Sequence, residues 1–221
     1  MSYKIILTGA TGMVGEGVLL ECLEHSQISE VLIVSRKSCG INHPKVKEYL
    51  VPNFLSLKET DEHFKGYDAC FFCAGVSSIG KKEPEYTKLT FDTTTLFAKV
   101  ILNQNPQSTF IYVSGASTDS SEQGKLMWAR VKGRTENTLS KIGFKKVYNF
   151  RPGFMKLTSG QKNALKAYKY FAWLYPVLKV LAPNSTSTLK QLGRAMINCL
   201  IFGSDKQILE VKDINALGDR V

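Results

Sequence analysis

The sequence predicts a doubly wound, parallel α/β sheet, and three observations carry that prediction. Short apolar runs recur along the chain, separated by amphipathic stretches long enough to be helices. A glycine-rich turn, Thr8-Gly9-Ala10-Thr11-Gly12-Met13-Val14-Gly15, joins the first apolar run to the first such stretch. The run at 31–35 is apolar without alternation, as a strand covered on both faces must be.

The elements follow in order. Residues 3–8 read as a first strand, and 12–25 as a helix with Val14, Val18, Leu19 and Cys22 on one face. A second strand spans 31–35, and a third 46–51. The apolar run 68–73 is the fourth strand, followed by a long helix from about 84 to 103 that Asn105-Pro106 closes. A fifth strand (109–114), a helix (124–139) and a sixth strand (146–151) complete the alternation, which implies a parallel, doubly wound sheet. After Arg151-Pro152-Gly153 the character changes. The segment 164–181 carries Tyr168, Tyr170, Phe171, Trp173 and Tyr175 with lysines between them. It reads as a lid over the ligand edge of the sheet, as an oligomer face, or as a membrane-surface helix. A helix at 185–202, a short strand at 206–211 and a helical turn at 213–218 end the chain. The expected division is a dinucleotide-binding core over 1–155 and a C-terminal segment, 156–221, packed on it as pocket wall or homodimer face.

A chain of 221 residues forms one domain and buries roughly 70–75% of its unfolded surface, so neither metal nor disulfide is needed to hold it together. With 43% hydrophobic and 22% charged residues it is neither disordered nor membrane-embedded, and no run of apolar residues is long enough to span a bilayer. Met1-Ser2-Tyr3-Lys4 leads directly into a strand, which argues against a signal peptide. Five scattered cysteines suit a reducing, cytoplasmic setting. Cys70 and Cys73 form a C-x-x-C within a strand, where their side chains leave opposite faces, so they read as buried thiols rather than a redox pair. Lys+Arg 29 against Asp+Glu 19 gives a net charge of +10, but the basic residues are spread out, and nucleic acid is not an expected partner. His25, His43 and His63 show no metal-ligand spacing, and no metal is expected.

The glycine turn has the chemistry of a dinucleotide site. Gly9 allows the turn off the strand, Gly12 lets the backbone approach a pyrophosphate, and Gly15 lets helix and strand pack closely. The backbone of Thr11, Met13 and Val14 completes the cradle at a helix N-terminus, which favours negative charge. The second strand ends in Ser35-Arg36-Lys37, with no acid before Glu48. A carboxylate at the strand end would bind the ribose hydroxyls of NAD, whereas Arg36 suits the 2′-phosphate of NADP. NADP is therefore the expected cofactor, NAD the lesser one. By order along the chain, Cys73-Ala74-Gly75 would pass beneath the adenosine and Asn53-Phe54 would reach the adenine.

These motifs, with Ser114, Arg130-Val131-Lys132-Gly133, Phe150-Arg151-Pro152-Gly153 and the tail from Leu209-Glu210-Val211-Lys212 to Leu217-Gly218, resemble the atypical short-chain dehydrogenase/reductase family. Within it the chain is similar to the Tat-interacting-protein-like oxidoreductases. The resemblance implies a Rossmann domain binding NADP, a cytoplasmic protein and an undefined small-molecule substrate. It places Pro152 and Gly153 along the cofactor, Ser114 in the serine role and Lys132 in the lysine slot. The family sets a tyrosine four residues before that lysine, as the group that exchanges a proton with substrate; here Trp128 stands there. Indole has only an N–H donor and cannot shuttle a proton near neutral pH. The one Y-x-x-x-K present, Tyr175 to Lys179, lies beyond the last core strand. The expected function is an NADP-binding oxidoreductase or epimerase-type enzyme whose chemistry falls to Ser114, Lys132 and Trp128. The rival is a catalytically degenerate NADP(H) sensor.

Overall fold

The computed structural model describes residues 2–163 and 175–220. Most of the aromatic segment, including Tyr168, Tyr170, Phe171 and Trp173, lies outside these residues. Seven parallel strands form one sheet: β1 (Tyr3–Thr8), β2 (Ile28–Ser35), β3 (Val46–Leu50), β4 (Ala69–Phe72), β5 (Thr109–Val113), β6 (Lys146–Arg151) and a last strand, β9 (Ile208–Glu210). Their spatial order is β3-β2-β1-β4-β5-β6-β9. The order reverses between β1 and β4, and at such a switch point the strand ends diverge into a crevice.

Residue alternation along the strands sorts the core into two layers. Ile5, Leu7, Phe71 and Ile111 face α1 (Met13–Glu24) and α6 (Leu189–Phe202). Ile6, Phe72, Phe110 and Tyr112 face the other side, where Phe97, Val100 and Ile101 of α3 (Thr93–Gln104) and Leu139 of α4 (Met127–Leu139) cover them. Cys70 belongs to the second layer and Cys73 packs on the first, and all five cysteines are free thiols. The C-x-x-C is thus split across the sheet, as strand geometry requires.

Three local features depart from the sequence reading. The helix expected over 84–103 is broken into α2 (Glu83–Thr87), a π-helical turn (Lys88–Asp92) and α3. The wide turn keeps Tyr86, Thr90 and Thr94 on the buried face. The helix expected from 185 starts at Leu189 instead, because Thr188 caps it: its hydroxyl accepts from Gln191 N at 2.9 Å, and Gln191 Oε1 accepts from Thr188 N at 2.9 Å. The residues before that cap form β8 (Thr186–Thr188), which pairs in parallel with β7 (Phe154–Lys156) in a separate two-stranded sheet. A short helix, α5 (Tyr175–Leu181), precedes them, and α7 (Val211–Gly218) follows β9.

Candidate functional site

The glycine turn leaves β1 with Gly9 at φ +77°, in the left-handed region that a side chain disfavours. A Cβ at Gly9 would meet the Cys73–Ala74 peptide at 2.7 Å, so the turn presses directly on the end of β4. Thr8 Oγ1 reinforces this contact by accepting from Ala74 N at 3.1 Å. Gly15 lies under the turn; a Cβ there would stand 2.1 Å from Gly9 O. Gly12 is the side-chain-free N-cap of α1, whose first N–H groups have no partner within the helix.

Gly9, Thr11, Gly12, Ser35, Arg36, Cys73, Ala74 and Gly75 line one cleft of about 280 Å³ at the carboxyl ends of β1, β2 and β4. Asn53, Phe54, Leu89 and Thr93 line an adjoining cavity of about 220 Å³ that shares Arg36, Ala74 and Gly75 with the first. Arg36 is exposed and makes no hydrogen bond or ion pair among the described residues. Glu48 accepts from Ser38 Oγ at 2.6 Å and Cys39 N at 2.7 Å. The donor set therefore fits a dinucleotide: side-chain-free backbone under a helix N-terminus, a free guanidinium, and open space beside Gly75.

A second cluster sits at the end of β5. The Ser114 hydroxyl is buried and lies 2.5 Å from Glu136 Oε1 and 3.1 Å from Phe150 O. A hydroxyl has one proton, and the shorter, charge-assisted bond to the carboxylate takes it. Glu136, 1% exposed, also receives the Arg151 fork, Nε to Oε1 at 3.0 Å and Nη2 to Oε2 at 2.5 Å. Arg151 reaches on to Ser120 Oγ and to Glu210. Lys132, one turn before Glu136 on α4, donates to the Ser114 carbonyl. Burial holds its amine below the usual lysine range, while the charge of Glu136 works the other way. Lys132 and Ser114 thus meet through the serine's carbonyl and not its hydroxyl.

The remaining expected residues are dispersed. Met13 and Val14 are partly buried against the core, so only their backbone is at the turn. Trp128 is half-buried on α4, four residues before Lys132. Pro152 is buried and its carbonyl accepts from Ala116 N at 2.8 Å, and Gly153 lies against Ser185 O. Tyr175 is buried near Phe154, and Lys179 is exposed. Two functional-looking acids escaped the sequence reading. Glu136 is signalled only by its place four residues after Lys132. Glu16 is buried in the first turn of α1, where its carboxylate accepts from Lys162 N at 2.9 Å and Asn163 N at 2.7 Å. Gln161 Nε2 donates to Met13 O beside it, tying residues 161–163 to the dinucleotide turn.

Comparison with known proteins agrees with this geometry. The family model of the NAD dependent epimerase/dehydratase family matches residues 5–127, more than half of the chain. Protein HTATIP2 of Rattus norvegicus is 24% identical over 97% of this chain and 89% of its own, in line with the Tat-interacting-protein-like resemblance. The mitochondrial protein fmp52 of Aspergillus fumigatus is 27% identical over 72% of this chain and 68% of its own. The Bordetella bronchiseptica enzyme WbmH, solved in complex with NAD+, superposes with a TM-score of 0.66 at 14% identity, over 97% of this chain and 79% of that one. At that identity the likeness speaks for the fold.

Proposed function

The chain belongs to the NAD dependent epimerase/dehydratase family, and on that premise we propose that it binds NADP(H) as an oxidoreductase or epimerase-type protein acting on a small molecule. The observation that carries the cofactor choice is Arg36: a guanidinium unpaired among the described residues, on the cleft that holds the glycine turn, at the strand end where an acid would favour NAD. A fork from Arg36 to a 2′-phosphate contributes about 1.5–3 kcal/mol, roughly a ten- to hundredfold preference. The backbone of Thr11, Gly12, Met13 and Val14 would hold the pyrophosphate, Gly75 and Ala74 the adenosine ribose, and Asn53 and Phe54 the adenine. Lys132 is our candidate for the nicotinamide ribose, with Pro152 and Gly153 as backbone supports farther along. When bound, the cofactor supplies or accepts a hydride. In this reading Ser114 anchors the end of β5 through Glu136 and does not meet substrate.

A second reading has its own observation. Trp128 stands where the family's proton-exchanging tyrosine belongs, and the Ser114 proton is committed to Glu136. Both favour a degenerate protein that reads NADP(H) without turning it over. Titration of the purified protein with NADPH and NADH, followed by nicotinamide fluorescence, tests the common premise. Tight NADPH and weak NADH binding is expected; binding of neither would remove the oxidoreductase reading. We place the protein in the cytoplasm on the strength of its free thiols; no helix among the described residues is long and apolar enough to cross a membrane. Cell fractionation decides between that compartment and the mitochondrion, named for the fmp52 relatives. A homodimer is our proposed assembly, to be checked by light scattering.

A further inference from the structure

We propose that Lys132 is itself the catalytic residue that exchanges a proton with the oxygen of a carbonyl or carbinol substrate. The proposal rests on the cofactor reading above and goes beyond it, because that reading gives Lys132 only a binding part.

The argument starts from what surrounds the amine. An ammonium has three N–H donors, and the Ser114 carbonyl takes one of them. Beside it stands Gly115, where a side chain would begin 3.7 Å from Lys132 Nζ with no other atom of the described residues within contact. Among the described residues the space beside Gly115 is therefore open, and it adjoins the lysine. One turn earlier Trp128 offers no exchangeable acid, and the Ser114 hydroxyl is bound inward to Glu136. Among the described residues, Lys132 is left as the titratable group beside this position.

The charged groups packed around α4 are otherwise engaged. From the loop after β5, Asp119 accepts from Ser121 N and Gly124 N. From α2, Glu83 pairs with Arg130, and from β6, Arg151 grips Glu136 and Glu210. Tyr86 and Tyr112 are buried phenols that burial holds protonated. Among the described residues Glu136 alone exerts a charge effect on Lys132, and it opposes the lowering by burial. The resulting amine titrates below an ordinary lysine, so it can both give and regain a proton closer to neutral pH.

The step balances simply. As a carbonyl is reduced, its carbon takes a hydride from a reduced nicotinamide dinucleotide and its oxygen takes one proton from the Lys132 ammonium. The C=O π bond opens, C–H and O–H bonds form, and the neutral amine regains a proton from water. Oxidation of the alcohol runs the same path backwards.

The test uses the full chain loaded with NADPH. Trace acetylation with acetic anhydride across a pH series, read by mass spectrometry, gives the pH of half-reaction for Lys132 beside that of exposed Lys65. Lys132 should half-react at a lower pH than Lys65, and Glu136→Gln should lower it further. Lys132→Met should cut turnover of a panel of aldehydes and diketones at least a hundredfold while raising the NADPH Kd less than tenfold, in keeping with the roughly hundred- to ten-thousandfold contribution of a general acid. Half-reaction at the pH of Lys65, turnover unaffected by Lys132→Met, or no turnover of any panel member would overturn the proposal. Failure of NADPH binding in the unmutated chain would instead strike the cofactor reading, and the acetylation profile of the unloaded protein would still judge the lysine.

Discussion

Ser114 and Glu136 meet at 2.5 Å inside the carboxyl edge of the sheet, joining the end of β5 to the middle of α4. The carbonyl of the same serine accepts from Lys132, one turn before Glu136 on α4. It also completes a buried ion pair, because the carboxylate that accepts from Ser114 takes both arms of Arg151 from β6. One acid thereby ties two strands and a helix together beneath the candidate reaction site.

Breaking that pair should be costly. Glu136→Ala strands the Arg151 guanidinium in a buried setting, and loss of one partner from such a pair costs about 3–5 kcal/mol. For a chain of this length each kcal/mol shifts Tm by roughly 2–4 °C. Thermal unfolding followed by circular dichroism should show a fall of about 6–20 °C; a fall of a degree or less would mean that the pair does not form. Glu136→Gln keeps an acceptor for Ser114 and should lose less.

Arg36→Ala should narrow the NADPH-over-NADH preference at least several-fold, mainly through weaker NADPH binding. Its guanidinium has no partner among the described residues, so Tm should stay within about 2 °C, as for surface changes within ±0.5 kcal/mol. An unchanged ratio of the two dissociation constants would rule out the phosphate fork.

Gly15→Ala should damage stability and cofactor binding together. Its new methyl would start 2.1 Å from Gly9 O, so the turn or the helix must move. Overpacking of this kind costs about 1–3 kcal/mol, and a displaced turn should weaken NADPH at least tenfold. A variant with normal affinity and Tm would show that the turn is looser than drawn.

Glu16→Ala should release the segment that docks on the dinucleotide helix. The carboxylate holds the amides of Lys162 and Asn163, which otherwise have water as their alternative. Hydrogen exchange at these two amides should accelerate at least tenfold in the variant, corresponding to about 1.4 kcal/mol of lost protection. Exchange at Ile6 and Phe71, in the core strands, should not change.

Thiol chemistry should follow burial. Burial pushes the Cys199 thiol up to about 12 and those of Cys22 and Cys70 higher still. Because the thiolate is the reacting form, a higher pKa means less of it at neutral pH. Half-buried Cys39 should alkylate first with iodoacetamide, and Cys22, Cys70 and Cys199 only on unfolding. Early labelling of Cys70 would contradict the strand placement of the C-x-x-C.

What the sequence determined by itself was local. Strand β1, the turn at Gly9 and the start of α1 are written in consecutive residues, since a turn that needs a left-handed residue and a helix that needs a stripe of apolar positions record those needs where they occur. The same holds for β6, whose bounds agree with the apolar run, and for the absence of an acid after Ser35. Tertiary structure decided which of these pieces meet. The pairing of β7 with β8 joins two short segments neither of which reads as a strand alone, and it pushes the start of α6 to its Thr188 cap. Ser114 looked like a group available to substrate because sequence order places it at a strand end. Its hydroxyl is instead claimed by an acid 22 residues away, which is bound in turn by an arginine 15 residues beyond that. Such a contact leaves no periodic trace, because a buried charge is stabilised by whichever partner the packing brings, and only the folded chain selects it.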